Sequence, residues 1–167
     1  MNVQVLDIGC GAHPHGDVNI DAFPLDRTQC AEAWNPKKVR NFVLGDAHCL
    51  PFREKVFDSV RCDHVLEHLH SPILALKEMQ RVCKGNVVLR VPSHFSFDSS
   101  KTHIYTWNPL SLRHLTRLVF SKVEVGYTSR MDFLTRGKLG KWIPLLNILL
   151  PKIGILRELY AYCSEEN

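Results

Sequence analysis

The sequence predicts an α/β protein: a mostly parallel sheet with helices on its faces. Three observations carry this. Strand-like apolar runs alternate with helix-like stretches through the first half, which is the pattern of a parallel sheet with crossover connections. The first run, Val5-Leu6-Asp7-Ile8, breaks into Gly9-Cys10-Gly11. On a doubly wound sheet, such a turn lies at the carboxyl ends of the strands, where ligands bind. Acids then recur beside the next apolar runs: Asp21 after Val18-Asn19-Ile20, Asp46 after Gly45, and Asp58 in Phe57-Asp58-Ser59-Val60.

Each element has its own signal. Residues 3–8 and 17–20 read as strands. The link between them holds Pro14 and two histidines and has room for one helical turn at most, far less than a full crossover helix. Residues 41–44 form a third strand, 57–62 a fourth and 86–91 a fifth. Between the last two, Ser71 caps a helix and Pro72 occupies its first turn. Leu74, Leu76, Met79, Val82 and Cys83 follow at helical spacing, and Gly85 reads as the stop. Asn108-Pro109 opens a second helix through Leu118. Residues 122–127 and 157–163 complete seven strands, one of them antiparallel near the C-terminus. An apolar stretch at about 136–154, before the last strand, is too short and too broken by Pro144 and Pro151 to span a bilayer. No repeat or low-complexity segment interrupts a single domain over residues 1–167.

Composition bounds the function. Of 167 residues, 45% are hydrophobic and 23% charged, which excludes a disordered chain. A net charge of +4 is too small to argue for nucleic acid, though it does not exclude it. Lys37, Lys38, Arg40, Arg113, Arg117 and Lys122 are spread out, as on a solvated surface. The six cysteines contain no C-x-x-C pair, so reduced thiols in a cytoplasm are expected, without a disulfide framework. No signal peptide is expected before the first strand.

From residue 3 to about 128 the chain resembles the class I S-adenosylmethionine-dependent methyltransferases, in particular the small-molecule-type methyltransferase domain group. In that family an acid-x-Gly-x-Gly turn passes under the methionine part of the cofactor; Asp7, Gly9, Cys10 and Gly11 match it. An acid after the second strand holds the ribose hydroxyls, matched by Asp21 with Ala22 beside it. An Asp followed by a small residue after the third strand accepts from the adenine amino group, matched by Asp46-Ala47. Leu50-Pro51-Phe52 is typical of the group. The run Phe57-Asp58-Ser59-Val60 through His64-Val65-Leu66-Glu67-His68 resembles the fourth-strand motif, with Cys62, Asp63 and His64 near the cofactor. The resemblance implies a Rossmann-like, doubly wound sheet, S-adenosyl-L-methionine as cofactor, and methyl transfer to O or N of a small-molecule or sugar- or lipid-linked acceptor. Its alternatives are an RNA or protein methyltransferase whose site a partner chain completes, and a non-catalytic subunit.

Two departures stand out. Ala12-His13-Pro14 follow where a third glycine is frequent, and no covering helix is expected before the first strand. The cover is expected from residues 93–107, from the apolar stretch around Trp142, or from another copy or an activating partner chain. His94, just past the fifth strand, is the first candidate for a general base, followed by His103 and Tyr105. No metal is expected: His64 and His68 share a helical face only if that segment is helical, and no third ligand lies nearby in sequence.

Overall fold

The computed structural model describes residues 4–23, 34–94, 102–128 and 158–165. Seven strands form one sheet in the order β3-β2-β1-β4-β5-β7-β6. These are β1 (Val5–Ile8), β2 (Val18–Asp21), β3 (Phe42–Leu44), β4 (Phe57–Asp63), β5 (Cys83–Pro92), β6 (Lys122–Thr128) and β7 (Glu158–Ser164). β1 to β5 pair in parallel, and β7 runs antiparallel to both β5 and β6. The expected mostly parallel, seven-stranded, Rossmann-like architecture with one antiparallel strand is present. The strand order reverses at β1/β4, which puts the ends of β1 and β4 at a switch point.

Alternation explains which residues the sheet buries. Leu6, Ile20, Val60, Val87, Leu89, Val91, Leu159 and Ala161 are all within 1% of full burial. Against them pack Ala75, Leu76, Met79 and Val82 of helix α1 (Pro72–Val82) and Leu112 of helix α2 (Pro109–Arg117). The helical spacing of these residues turns one face of each helix to the sheet.

Two local expectations are corrected. Gly85 does not end a helix. β5 already begins at Cys83, which pairs with Phe57, and a Cβ on Gly85 would come within 2.5 Å of the Asp58 carbonyl oxygen. Pairing with β4 takes over directly from α1, and Gly85 serves close strand approach. Ser71 stands at the N-cap of α1 but its side chain makes no capping bond; its N–H donates to His48 Nε2 at 3.3 Å. By contrast, Asn108 builds a full capping box with Ser111 at the start of α2. The apolar stretch at about 136–154 lies outside the described residues. Among those described, no helix is long and apolar enough to cross a membrane.

Candidate active site

A cavity of about 510 Å³ opens at the carboxyl ends of β1 to β4. Its floor is the turn after β1, where Gly9 (φ 69°) and Gly11 (φ 53°) both adopt left-handed backbone. Only glycine takes that conformation without strain. The two glycines serve different ends. A Cβ on Gly9 would sit 2.1 Å from Val65 Cγ2, so Gly9 lets the turn pack on the segment after β4. A Cβ on Gly11 would meet nothing within 4 Å, which leaves bare backbone at the cavity.

Asp21 ends β2 at the same cavity. Its Oδ2 accepts from Gly11 N–H at 3.0 Å and its Oδ1 from Phe23 N–H at 2.9 Å. The carboxylate thus ties the glycine turn to β2, and each oxygen keeps a second acceptor site. Asp46, after β3, is held from one side only: its Oδ1 accepts from His48 N–H at 2.9 Å and lies 2.7 Å from His48 Nδ1. Ala22, Ala47 and His64 also line the wall, as do Phe23, Trp34, Val65 and Leu69.

His64 stands at φ 55°, an uncommon conformation for a residue with a side chain. Its N–H donates to the Arg90 carbonyl, which locks the end of β4 to β5. Its imidazole lies 3.5 Å from Glu67 and 3.3 Å from Glu158. The Glu67 carboxylate holds His64 above the ordinary imidazole range, against the opposing effect of burial. The segment beyond is a 3-10 turn, Leu66–His68, so His64 and His68 do not share an α-helical face.

Other expected cofactor residues lie behind the wall. Asp7 is buried beneath the turn, where its Oδ2 accepts from His15 N–H at 2.8 Å; burial raises its carboxyl above the usual range. Cys10 packs with Trp34 and Val39, and burial pushes its thiol up to about 12. Cys62 is fully buried in the core, its thiol raised by the same cause. Asp63 faces Arg61 and Arg90 in an ion-pair group. All four thus support the site or the core instead of lining the cavity.

The expected bases also stand off the cavity wall. His94 N–H donates to the Trp107 carbonyl at 2.7 Å, and Tyr105 Oη donates to the His70 carbonyl at 3.2 Å. His103 packs edge-on against His68, with ring centroids 4.6 Å apart. Residues 102–107 therefore return over the turn after β4, while 95–101 lie outside the described residues. Sequence reasoning missed His13, His48 and His70, which line the cavity, and weighed His68, which also lines it, only as a metal ligand. Only the position of His48, two residues past Asp46, signalled a role.

Comparison with known proteins gives the family. The profile described as "Methyltransferase domain" matches residues 6–91, just over half of the chain. A demethylmenaquinone methyltransferase of Renibacterium salmoninarum is 32% identical over 111 residues, covering 62% of this chain and 46% of that protein. The chain spans less than half the length of the curated relatives it matches. In fold it is similar to a SAM-dependent methyltransferase from Thermotoga maritima, with a TM-score of 0.67, 15% identity, and coverage of 99% of this chain and 83% of that one. It is also similar to a methyltransferase from Haloferax volcanii solved with its Trm112 activator: TM-score 0.65, 18% identity, 99% of this chain and 86% of the other. The chain belongs to the class I S-adenosylmethionine-dependent methyltransferases.

Proposed function

We propose that this chain binds S-adenosylmethionine in the cavity and transfers its methyl group to oxygen or nitrogen of a small-molecule or sugar- or lipid-linked acceptor. One observation carries the reading: Asp21 and Gly11, bonded to each other, present a carboxylate and bare backbone to the same space. A carboxylate takes both hydroxyls of a ribose at once, and each charge-assisted bond contributes about 1.5–3 kcal/mol. Asp46, held by His48 through Oδ1, offers Oδ2 to an adenine amino group. Ala47 keeps that wall flat. The cofactor, when bound, supplies an electrophilic methyl on a sulfonium. The chain supplies orientation, and proximity alone lowers such a barrier substantially. Where the acceptor must lose a proton, His64 is the reading's base, since it lines the cavity and its basicity is raised.

Calorimetry with S-adenosylmethionine and S-adenosylhomocysteine tests the cofactor. Asp21→Ala is expected to weaken binding by roughly 1.5–3 kcal/mol. No binding at millimolar cofactor by the wild-type chain would refute the reading. Labelled cofactor with fractionated cell extract tests the acceptor, and label in low-mass metabolites is expected. A second reading, a macromolecular methyltransferase completed by a partner chain, has one supporting observation: among the described residues β3 is an edge strand of the sheet, and Leu44 on it is 65% exposed. The activator bound to the Haloferax volcanii neighbour is a precedent for such a partner. Label in RNA or protein, dependent on a copurifying chain, would favour it.

A further inference from the structure

We propose that Glu67, His68 and His103 form a binding site for a divalent transition-metal cation, which adjoins the cavity through His68. This goes beyond the methyl-transfer reading and does not rest on it. The expectation of no metal stood on the lack of a third ligand near His64 and His68 in sequence. The fold supplies one from a distant segment and pairs it with His68, not with His64.

The geometry is built, not incidental. One ligand atom from each of Glu67, His68 and His103 lies within 4.8 Å of the others. The Glu67 carbonyl accepts from Ile104 N–H at 2.7 Å and from Tyr105 N–H at 3.3 Å, which clamps the segment bearing His103 onto the turn bearing Glu67 and His68. His68 Nδ1 lies 3.2 Å from the Thr102 carbonyl oxygen. A proton on Nδ1 makes that bond and leaves Nε2 as a lone-pair donor, the arrangement that orients a metal-binding imidazole. Ligand atoms about 2.0–2.2 Å from a shared zinc lie about 3.4 Å apart at tetrahedral angles. Small side-chain rotations cover the difference.

Glu67 gives the independent reason for a cation. It is fully buried, and neither carboxylate oxygen accepts a hydrogen bond. A buried carboxylate needs compensation, because leaving water without a partner is costly. His64 meets only Oε1, at 3.5 Å. Oε2 has no hydrogen-bond partner among the described residues. One carboxylate and two imidazoles suit Zn²⁺, Mn²⁺ or Fe²⁺ better than Mg²⁺ or Ca²⁺, which favour all-oxygen sets. Three protein ligands leave a position open. Of the three, His68 lines the cavity.

Metal-free protein, titrated with Mn²⁺ by calorimetry and with Co²⁺ by visible absorption, tests this without any activity assay. One equivalent of each ion is expected, with cobalt d–d bands and no thiolate charge-transfer band. His103→Gln and Glu67→Gln are each expected to lower affinity at least about tenfold, since even outer-sphere losses have effects of that size. His103 is only half-buried, so His103→Gln keeps the test valid if Glu67→Gln fails to fold; near-ultraviolet circular dichroism checks both. No binding at millimolar ion, affinity unchanged in folded His103→Gln, or a thiolate band from the cysteines would each overturn the proposal.

Discussion

The two sides of the sheet are built on different terms. β1, β2 and β3 have four, four and three residues, and each runs into a loop that lines the cavity. There the organising contacts are polar: Asp21 to the Gly11 and Phe23 amides, Asp46 to His48, and Asp7 to His15. β5, β6 and β7 have ten, seven and seven residues, paired in long continuous register. Val87, Leu89, Val91, Leu159 and Ala161 form a dry, fully buried stripe there. Short strands free backbone and loops to face a ligand, while long strands bury apolar area, the main favourable contribution to folding. Binding and stability should therefore separate: changes in the long-stranded side should move stability, and changes in the short-stranded side should move affinity.

The largest expected effect tests the long-stranded side. Leu89 is fully buried at the centre of β5, between β4 and β7. Leu89→Ala should cost about 2–5 kcal/mol of stability, from lost burial plus the cavity left behind. Urea unfolding measures it. Cofactor affinity of the folded fraction, measured by calorimetry, should stay close to wild type. If affinity collapses while the fold persists, the two sides are not separable.

The two glycines of the first turn sharpen the contrast at close range. Gly9→Ala drives a Cβ into Val65, an overpacking that should cost up to about 3 kcal/mol of stability. Val65→Ala should recover part of that loss, because both changes act on one contact. A double-mutant cycle on urea midpoints checks this; strict additivity would mean that the left-handed backbone, not the contact, sets the cost. Gly11→Val meets no neighbour, so it should lose about 1–2 kcal/mol of stability from its positive φ alone. Its main effect should be on cofactor affinity, with circular dichroism near native. Normal binding by Gly11→Val would show that this backbone is not the cofactor floor.

Those two glycines also mark what the sequence could and could not tell. Both read as one motif, and nothing in Gly9-Cys10-Gly11 distinguishes a packing glycine from one left bare for a ligand. The distinction depends on Val65, a partner more than fifty residues away. The strands were legible because alternation and apolar runs are local signals, and the observed bounds of β4 and β7 differ from the expected ones by a residue. Gly85 misled because a glycine after a helical run ordinarily ends it, and only the pairing of Cys83 with Phe57 reveals a strand. Asp21 and Asp46 were legible as cavity residues because one ends a strand and the other closely follows one. Asp7 and Cys10 sit in the same motif but under the floor, a difference of side-chain direction that spacing does not encode. The approach of His103 to Glu67 and His68 is non-local and had no signal in the sequence.

The smallest expected effect probes α2, none of whose residues lines the cavity. Asn108 Oδ1 accepts from the Leu110 and Ser111 amides at 2.9 Å, and Ser111 Oγ accepts from Asn108 N–H at 3.1 Å. These bonds satisfy donors that the first turn of α2 cannot pair internally. Asn108→Ala should cost about 1 kcal/mol, seen as a lower melting temperature in a calorimetric scan. Trp107, one residue earlier, receives His94 N–H on its carbonyl and pairs with Ser93, so the cap sits beside the strap that returns over the turn after β4. If α2 only buttresses the long-stranded side, cofactor affinity in Asn108→Ala should match wild type within measurement error. A loss of affinity larger than the loss of stability would mean that the start of α2 positions the strap, and that the boundary between the two sides runs through Trp107, not between the strands.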